Sequence, residues 1–275
     1  MFSAQIISDS ISPDENRLIT MEWTFPRFIL PQISKHRMFS ISAGSSRAIG
    51  TRRQIAQVRE APYVPSSWGR NQAGMVAAGE LSESEARSCR EYWLRGVDAA
   101  CDLSQKLYDM GVHKEIASRP LEPYMWQKIV ISATSDWFDH MFALRLEYDA
   151  QPDFQTIARL ASEAIAGSTP KHVDYGGWVF PYLSDDECDG LDWLDMVKVS
   201  AGRIARVSYG SQKEFSFDED MSLGARLLEY DPPHAVPFEP IARAARPVEF
   251  IIGKDVIFGN FTGWHQARHT LWAAE

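Results

Sequence analysis

The stretch from Ser82 to Met110 leaves the chain the least conformational freedom. Ser82 and Glu85 make a capping-box pair, Trp93, Val97, Ala100 and Leu107 fall near one face, and Gly111 supplies the stop. That pattern reads as one long amphipathic helix. Upstream, residues 3–8 and 17–25 are apolar and β-prone, and the run from Asp9 to Asn16 between them is rich in turn formers. This reads as a β-hairpin. A second helical stretch runs through Trp137, Met141, Leu144 and Tyr148. Pro152 opens a third that ends at Gly167, so helix is expected over most of 134–166. Gly176-Gly177 and the acidic run at 185–187 mark a loop and a helix start near 185–200, and 248–252 and 255–258 look like strands. The chain is therefore a mixed α and β protein without an internal repeat.

Charge and cysteine usage narrow the function classes. With 37 acidic against 28 basic residues the formal charge is −9. That balance argues against a binder of polymeric nucleic acid or of an anionic membrane. A few local arginines can still hold a small phosphate. Cys89, Cys101 and Cys188 are odd in number and lack metal-ligand spacing, so no disulfide framework and no metal site is expected. Free thiols fit a reducing cytoplasm. Met1 to Asp9 lacks the pattern of a signal peptide, and no apolar run approaches the roughly 20 residues of a membrane span.

The chemistry-bearing segment is Lys35-His36-Arg37-Met38-Phe39-Ser40-Ile41-Ser42-Ala43-Gly44-Ser45-Ser46-Arg47. It resembles the signature of flavin-dependent thymidylate synthases, R-H-R-x-x-S-x-N-x-x-S-x-R, with Lys35 for the first arginine and Ser42 for the asparagine. Ala143-Leu144-Arg145 with Ala150-Gln151-Pro152-Asp153 resembles a second block of that family. Ala205-Arg206-Val207-Ser208-Tyr209 and His234-Ala235-Val236-Pro237-Phe238-Glu239 resemble two more. In the common form of the family those last two precede the signature; here they follow it. The resemblance therefore implies a circularly permuted chain: one α+β domain over 1–275, a twisted sheet with packed helices, with the signature and helices in 1–170 and the permuted blocks in 171–275. A closer likeness to UMP-methylating relatives of nucleoside-antibiotic pathways rests on Ser42, Ala43 and His140.

The resemblance also implies a reaction: reductive methylation at C5 of a uridylate, with methylene-tetrahydrofolate as carbon donor, FAD as hydride carrier and NADPH as reductant. Arg145 is the expected catalytic residue, because a permanent cation with a two-pronged fork stabilises negative charge on the uracil N3 and O4. Read alone it is a helix-surface arginine pairing with Glu147 or Asp149. Gln32, Gly44, Ser45, Ser46, Arg47 and Arg119 are the other expected substrate contacts, with Arg47 and Arg119 on the phosphate. Ser45 has no general base nearby in sequence, so it is a hydrogen-bonding residue of a Gly/Ser-rich turn rather than a nucleophile. A plain turn at Ser45, a structural Arg119 and a solvated Gln32 are the blander readings.

Lys35, His36, Arg37, His140, His234 and Glu239 are the expected flavin contacts. Without the motif, 35–37 is a solvated basic triplet and His140 a satisfied core histidine. Asp136 and Ala43 depart from the family pattern, and a small side chain at 43 would enlarge the sugar pocket toward UMP. The family relation further implies a homotetramer with shared active sites. A flavoprotein NADPH oxidase and a nucleotide-binding module are the competing classes. The loops 68–75 and 259–264, each with Gly and Trp, read either as ligand-facing loops or as turns around a buried Trp.

Overall fold

A computed structural model describes residues 1–208, 216–252 and 259–272. The N-terminal segments form the expected hairpin, β1 (Ser3–Ile11) with β2 (Arg17–Pro26), in antiparallel register. Its turn is closed by Ser12, whose carbonyl accepts from the Glu15 amide at 3.0 Å and whose Oγ accepts from the Asn16 amide at 3.2 Å. The short helix α1 (Leu30–Ile33) leads into β3 (Ser40–Ala43), then come α2 (Thr51–Glu60) and α3 (Glu83–Asp109). The capping box of α3 is formed, with Ser82 and Glu85 bonding each other's backbone amides. After α4 (Lys114–Ala117) and a 3-10 turn over 119–124, β4 (Trp126–Thr134) enters the sheet between β2 and β3.

The twisted five-stranded sheet has the order β3-β4-β2-β1-β5, with β5 (Lys171–His172) added parallel to β1. Alternation along the two central strands builds two cores. Ile19, Met21, Trp23 and Phe25 of β2 and Ile129, Ile131 and Ala133 of β4 point to one face. There they meet Phe138, Met141 and Phe142 of α5 (Ser135–Arg145) and Phe154, Ile157 and Ala161 of α6 (Pro152–Ala166). The opposite face carries Val130. It is covered by Val197, Ala201, Ile204 and Ala205 of α8 (Trp193–Ser208) and Leu227 of α9 (Phe217–Glu229). Beside them lies a small sheet of β6 (Trp178–Val179), β7 (Ala242–Ala244) and β8 (Trp264–Gln266). The chain is thus an α+β protein with helices on both faces of its main sheet.

Helices α8 and α9 touch backbone to backbone. A Cβ on Gly202 would stand 2.1 Å from the Asp220 carbonyl oxygen, and one on Gly224 would stand 1.9 Å from that of Lys198. The close approach buries an ion cluster. Asp220, fully buried, takes both Arg203 and Arg206; Arg203 also reaches Glu187 at 2.6 Å and Arg206 reaches Glu219 at 2.7 Å.

Two expectations are corrected. Residues 248–252, read as a strand, belong to a helix, α10 (Pro247–Ile252). Pro247 at its first position and Glu249, whose carboxylate accepts from the Arg246 amide at 2.6 Å, form a helix start that outweighs the β-prone side chains. The two helical stretches expected within 134–166 are α5 and α6, separated at 146–151, with Pro152 opening the second. The helix near 185–200 is two, α7 (Asp185–Cys188) and α8. The expected strand at 255–258 and Tyr209 lie outside the described residues. A final helix, α11 (Ala267–Trp272), completes the elements.

Candidate active site

The signature segment runs the length of β3, and the expected site residues gather in two groups at its ends. Before β3, Lys35, His36 and Arg37 line a cleft of about 350 Å³ together with Met38, Phe39, Trp137, His140, Leu144 and Arg145. Helix α5 supplies Trp137, His140 and Arg145 from one side, spaced so that they share a face. Arg145 donates from Nε to His36 Nε2 at 3.1 Å, and its guanidinium lies 4.7 Å from the centre of the Phe154 ring. It does not make the surface pair with Glu147 or Asp149 that its sequence neighbours offered. His36 sits edge-on to Phe39 and Phe154. Gln32, three residues before the signature, donates to Gln151 of the second block.

For Nε2 to accept, His36 must be neutral. Burial, then the Arg145 cation and then His140 hold its pKa down from 6.5 to about 4. We expect the His36 imidazole to titrate near pH 4 by NMR, and its pKa to rise when Arg145 is replaced by alanine. An unchanged titration in that variant would remove the Arg145 cation as a cause. The sign for stability follows. Between pH 6.5 and about 4 the unfolded histidine holds a proton that the folded one does not. This contribution is whole above pH 6.5 and is lost as pH falls toward 4.

Beyond β3, Gly44, Ser45, Ser46 and Arg47 form a turn. Gln54, fully buried, pins it by donating to the carbonyls of Ser46 at 2.8 Å and Ile49 at 2.7 Å. Ser45 Oγ accepts from the Arg47 amide at 3.3 Å, an arrangement of a capped turn. Arg47 is exposed, with Nε 3.6 Å from Glu115. Arg119 comes to the same neighbourhood, bonding the Glu115 carbonyl at 3.0 Å and the Glu122 carboxylate at 2.7 Å. The expected phosphate contacts are therefore grouped, each cation resting on an internal acceptor.

The 234–239 block and the segment after it reach the signature between its two ends. Glu239 accepts from Ser40 Oγ at 2.6 Å and pairs with Arg268 at 2.5 Å. Asn260 donates to the Met38 carbonyl at 3.0 Å. His234 is exposed and rests edge-on against Tyr230, and it is not one of the residues lining the cleft. Of the two loops, 259–264 surrounds a fully buried Trp264, which is the blander of its two readings. In the other, Trp68 rests on Trp93 while Met75 stands fully exposed.

Several residues at the site had no role in the sequence reading. Phe154 carries both His36 and Arg145, and Trp137 lines the cleft with an Nε1–H that is buried without a partner among the described residues. The Lys35, Arg37 and Arg145 cations lining one cleft with the Trp137 ring suit an anionic planar ligand. Among the described residues there is no group of side chains able to hold a metal ion, and no helix is long and apolar enough to cross a membrane.

Residues 6–171 match the family described as thymidylate synthase complementing protein. No curated protein matches the chain. Among solved structures, the UMP/dUMP methylase PolB from Streptomyces cacaoi bound with 5-Br UMP aligns with a TM-score of 0.51 at 16% identity. That alignment covers 60% of this chain and 89% of the methylase. The same methylase bound with 5-Br dUMP aligns at 17% identity, also with a TM-score of 0.51, over 60% of this chain and 90% of that one. Thymidylate Synthase X from Helicobacter pylori, solved with FAD and dUMP, aligns with a TM-score of 0.39 at 18% identity, over 54% of this chain and 67% of its own. At these identities the methylase likeness is one of fold.

Proposed function

Because the chain belongs to the thymidylate synthase complementing protein family, and with it to the flavin-dependent, thymidylate synthase-like methyltransferases, we propose that it methylates C5 of a uridylate nucleotide. The observation that carries this reading is the joining of Arg145 to the signature through His36 and Phe154. A half-buried, neutral imidazole acceptor orients the guanidinium without repelling it. The bond uses Nε and leaves the two terminal nitrogens as a fork for adjacent ring acceptors. The fold shared with a UMP/dUMP methylase agrees with such a substrate.

Lys35, His36, Arg37, Trp137 and His140 would hold the flavin, whose phosphates suit the cations and whose planar ring suits the Trp137 ring. Reduced FAD supplies the hydride when bound. His234 and Glu239 complete the flavin contacts in this reading, Glu239 through its hold on Ser40. Gln32, Gly44, Ser45, Ser46, Arg47 and Arg119 bind the nucleotide, and methylene-tetrahydrofolate and NADPH are the carbon donor and reductant.

The chain acts as one domain of circularly permuted order. The late block at 234–239 returns to the strand that carries the signature, as the Ser40–Glu239 bond illustrates. A cytoplasmic homotetramer with shared sites completes the proposal. Ala43, at the end of β3, packs against the main core with only a methyl group, and in this reading its small size makes room for a ribose 2′-hydroxyl. The test is turnover of UMP and dUMP side by side with all co-substrates. Methylation of both is expected. Methylation of dUMP alone would refute the role given to Ala43, and NADPH oxidation without nucleotide product would indicate an oxidase.

A further inference from the structure

At the far end of β3 three donors from three separate segments converge on one oxygen. Glu122 Oε1 lies 2.7 Å from Arg119 NH1, 3.3 Å from Arg27 Nε and 3.4 Å from Ser46 Oγ. Arg27 follows directly on the end of β2 and is largely buried, with 16% of its side chain exposed. Its NH1 also donates to the Gly44 carbonyl at 3.3 Å and to the Gln127 side chain. It therefore fixes both the turn and the carboxylate. A hydroxyl and two guanidinium groups arranged around a single anionic oxygen make a receptor for a tetrahedral oxyanion. Phosphate offers more acceptor oxygens and more charge than the carboxylate now held there.

We propose that Arg27, Ser46 and Arg119 form the receptor for the nucleotide's phosphate and that Glu122 is its internal competitor, displaced when the phosphate enters. The identity of the nucleotide and the use of Ser46 and Arg119 as its contacts rest on the function proposed above; the parts given to Arg27 and Glu122 rest on this geometry. Arg27 becomes a binding residue that the signature does not contain. Glu122 screens out weak anions, because any ligand must outbid a carboxylate already in place.

The sign of one substitution separates this from a purely structural ion pair. Glu122→Gln keeps the shape and removes the charge. If Glu122 competes, the variant binds UMP roughly tenfold more tightly by calorimetry, while uridine, which lacks the phosphate, binds as before. If Glu122 only braces the turn, UMP binding weakens or stays the same, and the proposal falls. Arg27→Lys keeps a charge but loses the second arm, so UMP should weaken with uridine unaffected; equal loss for both would also overturn the proposal. If the unaltered protein binds neither UMP nor dUMP, the uridylate reading has failed. Inorganic pyrophosphate then decides the receptor: tighter binding to Glu122→Gln sustains it, and equal or weaker binding ends it.

Discussion

Arg145→Ala is expected to lower the rate of uridylate methylation by about 10²–10³ while leaving the flavin bound, since it removes a preorganised charge from the reacting ring. The structure explains why this arginine and not a neighbour is singled out. Its Nε is committed to His36 and its planar face to Phe154, so the fork is held in one orientation before any ligand arrives. Such preorganisation is what gives a fixed dipole or charge its catalytic effect. Arg145→Lys should not rescue, because an ammonium group is a point charge without the second prong. The measurement is kcat under saturating nucleotide, read beside the visible flavin spectrum of the same preparation. Unchanged kcat would remove Arg145 from the reaction. Loss of the flavin along with activity would make it a cofactor residue instead.

The second large effect concerns stability. Asp220→Ala should cost about 3–5 kcal/mol, because it strips a buried carboxylate from two arginines that stay behind with little access to water. Arg203 and Arg206 retain Glu187 and Glu219, but those partners sit at the margin of the cluster and are far more exposed than Asp220. Equilibrium urea unfolding gives the number. A loss below about 1 kcal/mol, the range of ordinary surface changes, would mean that the outer carboxylates suffice. The cluster also explains a motif residue. Arg206 belongs to the Ala205–Tyr209 block, and in the fold it serves the packing of α8 on α9 rather than the cleft.

Much of the site was legible because the signature is contiguous. The sequence named both the basic triplet and the Gly/Ser turn, and the fold places the four residues of β3 between them, at one edge of the sheet. The helices were legible where local signals agree, as at Ser82 and Glu85, and misread where they conflict, as at Pro247, whose start signal lies within a β-prone run. What could not be read are the partners that come from far away in the chain. Phe154 is a core residue of α6 and Arg27 follows the end of β2, and nothing in their sequence neighbourhoods marks either as part of the site. Glu122 stands 95 residues from Arg27, and no spacing rule links them. The tie between Glu239 and Ser40 spans 199 residues and was accessible only through the family resemblance, which named both blocks without saying how they meet.

The central claim is that this chain places a one-carbon unit on C5 of a uridylate. The most direct measurement follows an isotopically labelled methylene carbon from methylene-tetrahydrofolate, with NADPH and FAD present, into the nucleotide pool by mass spectrometry. Label recovered in a 5-methyl uridylate, and lost when any one of the folate, the reductant or the flavin is omitted, is the predicted result. NADPH consumption with every uridylate unlabelled would contradict it.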